Sequence, residues 1–274
     1  MKKLEDWSTT AIDDFVIDQQ WHRYTHGEHN AWRILFQRQS RVLSECVVPE
    51  FLTGLRMIAN DNIPDFRIIN SALAQATGWK LVAVPGLVPD EVFFHHLAHR
   101  RFPATRWIRR PEQMEYLREP DIFHDVFGHV PLLFEPAYAD YLAAYGRAGL
   151  DALQKDALPY IARVYWYTVE FGLVRRNGRS YIFGAGIVSS KSESIFALES
   201  TSPHRIAFDL IRAMRTTYRI DDFQQTYFVI KDFRTLSAFI NRDLSRIYDR
   251  VRRLGDLHAA NLYENDSILT RGDG

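Results

Sequence analysis

Two histidines stand five positions apart in the stretch EPDIFHDVFGHVP, residues 119–131. The imidazoles of His124 and His129 are typical metal ligands or acid–base groups when they meet in space. Five is an unfavourable spacing in an α-helix, because at roughly 100° per residue the two side chains lie about 140° apart. We therefore expect the helix to end near Gly128, with Pro131 behind it, so that both rings can reach one ion.

A third candidate ligand is Glu170, in the aromatic stretch YWYTVEFG. The aromatic richness predicts burial, and a buried carboxylate is costly without a cation. A metal ion would account for Glu170 and both histidines together. Trp166 lies four residues earlier, so we expect it on the same helical face, beside the ion. The alternative is an ion pair between Glu170 and an arginine such as Arg175 or Arg109.

Two histidines and one carboxylate leave three adjacent coordination positions open, which suits non-haem iron(II) and the activation of dioxygen. The same ligands also serve zinc hydrolases, whose usual HExxH signature places the histidines four apart with a glutamate between them. This chain has HDVFGH instead, which disfavours the zinc alternative. A catalytically silent protein that uses the metal only for stability is the remaining alternative.

The composition is that of a globular protein with small partners. The chain has 274 residues, 46% hydrophobic and 25% charged, enough to bury a sizeable core. Basic and acidic residues both number 34, so no net charge attracts nucleic acid or an anionic membrane. The single cysteine, Cys46, excludes an internal disulfide and favours a reducing compartment. Residues 1–10 lack a secretory apolar stretch and no run reaches the ~18 residues of a membrane span, so we expect a cytoplasmic protein.

Hydrophobic periodicity predicts a mostly α fold with a few short β-strands (α+β), in a single domain over residues 1–274. The expected helices cover residues 30–48, 69–77, 90–97, 137–150 and 161–173, and one amphipathic C-terminal helix covers 235–254. Residues 79–84 are expected to form a strand, and Asn177-Gly178 a two-residue hairpin turn. The polar tail, residues 255–274, is expected to fray.

Two further histidine groups are not expected to bind metal. The first comprises His22, His26 and His29, and the second comprises His95, His96 and His99. Neither group has a carboxylate partner that burial would explain, so the first is interpreted as a solvated helix face.

The sequence resembles the pterin-dependent aromatic amino acid hydroxylases. The resemblance runs from about residue 30 to residue 230. It is carried by the ordered blocks DNIP (61–64), TGW (77–79), VPGLV (84–88), FHDVFGHVP (123–131), YWYTVEFGL (165–173), GAGIVSS (184–190) and DDFQQTYFV (221–229). So many blocks in one order are not expected by chance.

The resemblance implies a helical catalytic domain in which iron(II), dioxygen and a tetrahydropterin hydroxylate an aromatic amino acid. Among the possible substrates we expect L-phenylalanine, converted to L-tyrosine, with tryptophan and tyrosine as the alternatives. This choice depends on architecture, because the chain has no room for the regulatory domain of the animal enzymes. Residues 235–254 span under three heptads, so we also expect a monomer.

The resemblance also assigns individual roles, with His124, His129 and Glu170 as the iron ligands. The residues assigned to the amino acid substrate are Arg109, for its carboxylate, with Tyr116, Trp166, Gly186 and Ser189. Those assigned to the pterin are Val88, Phe93, Asp125 and Tyr165. From the pattern alone, Phe93 would be a core residue and Arg109 a solvated charge.

Overall fold

The computed structural model describes residues 12–114 and 119–273, and within them helices predominate over short strands. The α-helices are His26–Leu43, Pro49–Leu55, Phe66–Ala76, Asp90–Ala98, Val130–Leu133, Pro136–Gln154, Leu158–Tyr165, Ala185–Val188, Lys191–Glu199, Leu210–Arg215, Phe233–Ile240 and Ser245–Leu254. The 3-10 turns are Trp21–Arg23 and Pro111–Gln113. The predicted fold class is confirmed.

The strands form two separate sheets. The strands are β1 (Lys80–Val84), β2 (Arg101–Thr105), β3 (Leu173–Arg176), β4 (Arg179–Ile182), β5 (His204–Ala207), β6 (Thr226–Ile230) and β7 (Ile268–Thr270). In the first sheet, β1 and β2 pair in parallel, and in the second sheet the strand order is β4-β3-β6-β5-β7. The larger sheet is mixed, since β3 and β5 run parallel to β6 while β4 and β7 run antiparallel to their neighbours.

The predicted hairpin at Asn177-Gly178 joins β3 to β4. The two strands pair Arg176 with Arg179, so the loop has two residues. Asn177 has φ 51° and Gly178 has φ 81°, and positive φ at both central positions is the requirement of a type I′ turn. Asparagine and glycine are the residues that tolerate this conformation, which is why the sequence signal was reliable.

Two π-helical turns, Phe123–His129 and Trp166–Glu170, interrupt the α-helical pattern. The expectation that the first helix ends near Gly128 is wrong, because the chain continues through the π turn into Val130–Leu133. Hydrogen bonds from i to i+5 widen the turn, so residues five apart share a face without any helix end. Gly128 instead allows close packing, since a Cβ there would lie 3.1 Å from the Cβ of Ala185.

Several predicted helix bounds also need correction. The helix expected over residues 30–48 is His26–Leu43, and Pro49 begins the next helix rather than only interrupting the previous one. The helix expected over 161–173 becomes a π turn at Trp166 and then a strand. Proline is favourable in the first turn of a helix, where its missing N–H costs no hydrogen bond.

The C-terminal region departs furthest from the prediction. The single helix expected over residues 235–254 is two helices, Phe233–Ile240 and Ser245–Leu254. The expected fraying of the tail is also contradicted, because β7 adds to the edge of β5. Asp266, in the same tail, accepts a 2.8 Å hydrogen bond from the buried Arg212.

The helix Pro136–Gln154 runs through the main apolar core. Of its buried tyrosines, Tyr138 contacts the Phe233 ring, Tyr141 forms a hydrogen bond with the Thr168 hydroxyl in the second π turn, and Tyr145 donates to the Ile161 carbonyl. In the described part of the chain, no helix combines the length and apolar character needed to cross a lipid bilayer.

Candidate metal centre

Three side chains from the two π turns converge on one point. His129 Nε2 lies 3.3 Å from His124 Nε2 and 3.3 Å from Glu170 Oε1. His124 Nε2 lies 3.6 Å from Glu170 Oε2. One ligand atom from each of the three residues lies within 4.8 Å of the others, a spacing that a single metal ion can bridge. The structure therefore brings together all three candidate ligands that the sequence predicted.

Ser189 fixes the tautomer of His124. The Ser189 hydroxyl donates its only proton to the Ala185 carbonyl at 2.8 Å. Its oxygen lies 2.9 Å from His124 Nδ1, which must therefore be the donor in that contact. The Nε2 lone pair of His124 is then free to point at Glu170, which is the orientation that a metal ligand requires.

The charges at this point favour an added cation. Burial lowers the pKa of His124 to about 4, and the nearby Glu170 carboxylate only partly offsets this, so the imidazole is neutral near pH 7. Burial alone would raise the pKa of Glu170. The imidazoles of His129 and His124 and a hydrogen bond from the Gly186 N–H outweigh this burial and hold it below its ordinary value. A charged carboxylate beside an inward-facing imidazole lone pair is a fitting donor set for a divalent ion.

The arginine alternative for Glu170 is not realised. Arg109 is bound by Asp121, which accepts hydrogen bonds from Nε at 2.9 Å and from Nη2 at 2.8 Å. Arg175 is exposed on β3. The cationic or potentially cationic groups that the described residues place within ion-pair distance of Glu170 are His124 and His129.

A cavity of about 540 Å³ opens beside these ligands. Its walls come from both π turns, the segment after β4 and the loop before β6. The lining residues are Arg109, Glu119, Pro120, His124, Tyr165, Trp166, Glu170, Phe171, Gly186, Ser189, Ser190, Ser192, Glu193, Ile220, Asp221, Asp222, Phe223 and Gln224. Aromatic side chains next to converging polar and charged groups suit a small molecule that has both an apolar and a polar part.

Arg109 is a buried residue of this cavity rather than a solvated surface charge, with 7% of its surface exposed. Asp121 holds one edge of the guanidinium and also accepts from the backbone N–H of Arg109 at 2.9 Å. Asp121 accepts no hydrogen bond from Nη1 of Arg109, and no other described residue does so. One donor group of the planar fork is therefore left to face a ligand.

Aromatic rings form another wall. Trp166 stacks on Tyr218 with 4.2 Å between ring centroids and contacts Phe171 at 4.6 Å. Its indole N–H donates to Gln224 Oε1 at 2.8 Å. The indole is thus fixed at both its face and its edge beside the metal centre, where an aromatic substrate could pack against it.

Gly186 allows the segment after β4 to approach the second π turn. A Cβ at this position would lie 2.9 Å from Phe171 Cζ and 3.1 Å from the Glu170 carbonyl oxygen. Its N–H donates to the Glu170 carboxylate. The absence of a side chain at Gly186 therefore helps to place the Glu170 carboxylate and also shapes the cavity wall.

The candidate pterin residues are less closely grouped. Phe93 is half-buried and meets Tyr165 edge to face at 5.6 Å, and Tyr165 lies 6.3 Å from the His129 ring. Val88 is half-buried in the loop before Asp90–Ala98. Asp125 accepts from the N–H and the hydroxyl of Thr105 at the end of β2, at 2.7 Å and 2.8 Å, and does not line the cavity.

Of the remaining candidates, Tyr116 lies outside the described residues. Among the described residues, the ring nitrogens of His22, His26 and His29 do not all lie within 4.8 Å of one another. His22 and His26 are exposed, as the solvated-face interpretation requires, whereas His29 accepts a hydrogen bond from the Ile63 N–H at 3.1 Å.

Sequence reasoning missed other residues of the cavity. Asp121 accepts a hydrogen bond from His124 N at 3.0 Å, as a local helix cap would, but its contact with Arg109 spans 12 residues and has no local sequence signal. Glu193 follows Ser190 at the spacing of an ordinary helix cap, which conceals its position in the cavity. The aromatic partner Tyr218 likewise comes from a distant segment.

The chain belongs to the biopterin-dependent aromatic amino acid hydroxylase family, whose model matches residues 18–253. It is 54% identical over 264 residues to a phenylalanine-4-hydroxylase of Caulobacter vibrioides, covering 96% of this chain and 90% of that protein. A phenylalanine-4-hydroxylase of Ralstonia nicotianae is 52% identical over 265 residues, covering 96% and 85%. The cobalt-bound crystal structure of Chromobacterium violaceum phenylalanine hydroxylase matches with a TM-score of 0.91 at 50% identity, covering 93% of each chain.

Proposed function

We propose that this protein is a phenylalanine 4-monooxygenase that converts L-phenylalanine to L-tyrosine with non-haem iron(II), dioxygen and a tetrahydropterin. The observation that carries the proposal is the convergence of His124, His129 and Glu170 at the wall of an aromatic-lined cavity. Membership of the hydroxylase family and the shared name of its relatives support the substrate.

The three ligands would hold iron through two imidazole nitrogens and a carboxylate oxygen. When bound, iron and the tetrahydropterin together supply the electrons and the open coordination positions that dioxygen activation needs. The protein's own contribution is to hold its ligands still. Ser189 orients the His124 ring, and the Gly186 N–H orients the Glu170 carboxylate.

The cavity would align the substrate ring with the metal centre. Arg109 offers its free Nη1 donor group to the substrate carboxylate, while Asp121 keeps the guanidinium from moving. Trp166 and Phe171 offer apolar faces to the phenyl ring. Fixing both ends of a small amino acid converts binding energy into alignment, which is the main contribution a protein makes when the cofactors carry the chemistry.

The pterin would lie on the side of the centre where Phe93 and Tyr165 meet. These two rings meet edge to face, and the Tyr165 ring also stacks against the His129 ring. A flat heterocycle can stack on such a surface. We propose Val88 and Asp125 as further pterin residues. The hydrogen bond that the Asp125 carboxylate accepts comes from Thr105.

Product identification tests the proposal directly. Metal-free protein is loaded with iron(II) without oxygen, then given phenylalanine, tryptophan and tyrosine together with a tetrahydropterin and air. We expect tyrosine as the main new product, formed only when iron, pterin and oxygen are all present. Tight zinc binding without pterin-dependent oxygen uptake would favour a zinc hydrolase. Metal binding without any turnover would favour a structural metal.

We also propose that the protein works as a monomer in the cytoplasm. The residues 235–254 span under three heptads and are divided between the helices Phe233–Ile240 and Ser245–Leu254, which supports a monomer. Light scattering on the eluted protein checks the first statement, and a mass near twice 32.0 kDa would refute it. Fractionation of cells that express the protein checks the second.

A further inference from the structure

Glu193 is a buried carboxylate in the wall of the cavity. It lies in the first turn of the helix Lys191–Glu199, and 6% of its surface is exposed. The Tyr227 hydroxyl donates to its Oε1 atom, and the backbone N–H of Gln224 also donates to the carboxylate. A carboxylate has about four acceptor positions, so these two bonds leave capacity for a ligand.

Glu193 has no cationic partner of the kind that Asp221 and Glu170 have. Asp221 pairs with Arg219 at 3.0 Å, and Glu170 faces its two imidazoles. Within residues 12–114 and 119–273, no lysine, arginine or histidine nitrogen lies within ion-pair distance of Glu193. A charge buried in this way is costly unless a cation comes from elsewhere.

The electrostatic surroundings agree with a missing cation. Burial raises the pKa of Glu193 to about 7, although the hydrogen bonds from Tyr227 and Gln224 act in the opposite direction. The exposed Asp222 raises it further. A cation placed beside the carboxylate would reverse this shift and stabilise the charged form.

We propose that Glu193 binds the α-ammonium group of the amino acid substrate. This inference depends on the proposed function, because it assigns a ligand group within the same cavity. An amino acid carries one negative and one positive group, and the cavity supplies the Arg109 guanidinium for the first. Glu193 is the buried acid of the same cavity that is available for the second. Opposite charges at the two ends would also select the orientation of the zwitterion.

Two ligands separate an ammonium site from a structural carboxylate. L-Phenylalanine carries the ammonium group, whereas 3-phenylpropanoate has the same ring and carboxylate without it. The dissociation constants of both are measured by calorimetry on the iron(II)-loaded protein under anaerobic conditions. We expect Glu193→Gln to weaken phenylalanine binding roughly 10- to 100-fold, because one charge-assisted contact is lost. Binding of 3-phenylpropanoate should change less than about twofold.

The matched control is Glu199→Gln, the same substitution on an exposed residue of the same helix. We expect it to leave both dissociation constants unchanged. Equal weakening of both ligands by Glu193→Gln would assign the residue to structure and overturn the proposal. Unchanged phenylalanine binding would overturn it as well.

A second variant covers the case in which Glu193→Gln does not fold. Glu193→Asp keeps the charge but shortens its reach, so we expect a smaller loss that is again specific to phenylalanine. Equal loss for both ligands would contradict the proposal. The test is independent of turnover. Wild-type protein that binds phenylalanine without forming tyrosine refutes the proposed function, whereas a folded Glu193→Gln protein that binds phenylalanine as tightly as the wild type refutes the role of Glu193.

Discussion

The Glu170 carboxylate lies within 3.6 Å of two imidazole nitrogens. Replacing it by the amide of glutamine removes its negative charge with little change in its shape. We expect Glu170→Gln to lower activity more than about 100-fold, since losing even an outer partner of a metal ligand costs 10- to 100-fold. The amide keeps the shape of the side chain, so the fold should persist. Iron content and tyrosine formation measure the effect.

The control for this substitution is Glu45→Gln, at an exposed position far from the cavity in sequence. It should retain both iron and activity. Full activity in Glu170→Gln protein that still folds would remove Glu170 from the list of ligands.

Arg109 is expected to affect substrate binding more than the chemical step. Arg109→Ala removes the proposed carboxylate contact, and we expect KM for phenylalanine to rise about 10- to 100-fold with a smaller change in kcat. It also leaves Asp121 buried without a cation, so the melting temperature should fall. Arg110→Ala alters an exposed neighbour and should change neither quantity. An unchanged KM in Arg109→Ala would assign that arginine to structure alone.

The sequence identified the candidate residues that carry a distinctive chemistry in a distinctive context. His124, His129 and Glu170 could be predicted because two histidines five positions apart and an acid among aromatic residues are unusual. Glu193 could not, because its local pattern is that of a common helix cap. Its chemistry arises from contacts with Tyr227, 34 residues away.

At the scale of elements, the approach of the segment after β4 to the second π turn decides where Glu170 lies. Gly186→Ala would place a Cβ 2.9 Å from Phe171 Cζ and 3.1 Å from the Glu170 carbonyl oxygen. We expect a loss of stability of about 1–3 kcal/mol and a larger proportional loss of activity, because the candidate ligand and the cavity wall shift together. Chemical denaturation and turnover measure the two effects.

Gly27→Ala is the matched control, since its Cβ would meet only Thr25 Oγ1, at 3.9 Å, within the helix His26–Leu43. Alanine is favoured over glycine inside a helix, so we expect unchanged activity and a gain of up to about 1 kcal/mol. A Gly186→Ala protein with normal activity would show that the close approach at this position is not needed.

The two π turns are the secondary-structure elements that the sequence pattern does not predict. A period of 3.6 residues predicts α-helices well, and it located Pro136–Gln154 closely. It cannot predict a single inserted π turn, because the local composition of FHDVFGH is compatible with either geometry. The spacing of five between His124 and His129 is the available signal, and it corresponds to a wider turn in the structure, not to the predicted helix end.

For the molecule as a whole, the C-terminal tail is part of the folded structure. Asp266 and Arg212 form an ion pair whose side chains are 3% and 7% exposed. We expect Asp266→Asn to lower the free energy of unfolding by about 3–5 kcal/mol, because the Arg212 charge would stay buried without its partner. The exposed pair of Asp249 and Arg252 provides the control, and Asp249→Asn should cost no more than about 1 kcal/mol. Equal effects would show that the tail contributes little.

The sequence could not reveal this ordering. The tail is polar and its last strand, Ile268–Thr270, has only three residues, so its composition resembles that of a frayed end. The partners of the tail lie on β5 and near Arg212, more than 50 residues earlier. Such distant pairing becomes visible only when the whole chain is folded.

His96 makes the stability of the molecule depend on pH. It is fully buried, and neither ring nitrogen has a hydrogen-bond partner among the described residues. Burial, followed by the charge of Arg101, lowers its pKa from 6.5 to about 4. Between about pH 6.5 and pH 4, His96 is therefore protonated in the unfolded chain but neutral in the folded protein. Its contribution to the free energy of unfolding is complete above about pH 6.5 and is lost as the pH falls towards 4.

Replacing His96 by a side chain that does not titrate tests this dependence. We expect the free energy of unfolding of His96→Gln to fall less steeply between pH 6.5 and pH 4 than that of the wild type, whatever its value at pH 7. His22→Gln, at an exposed position, should keep the wild-type slope. Urea unfolding at a series of pH values provides the measurement. Parallel curves for His96→Gln and the wild type would mean that His96 does not titrate differently in the folded and unfolded states.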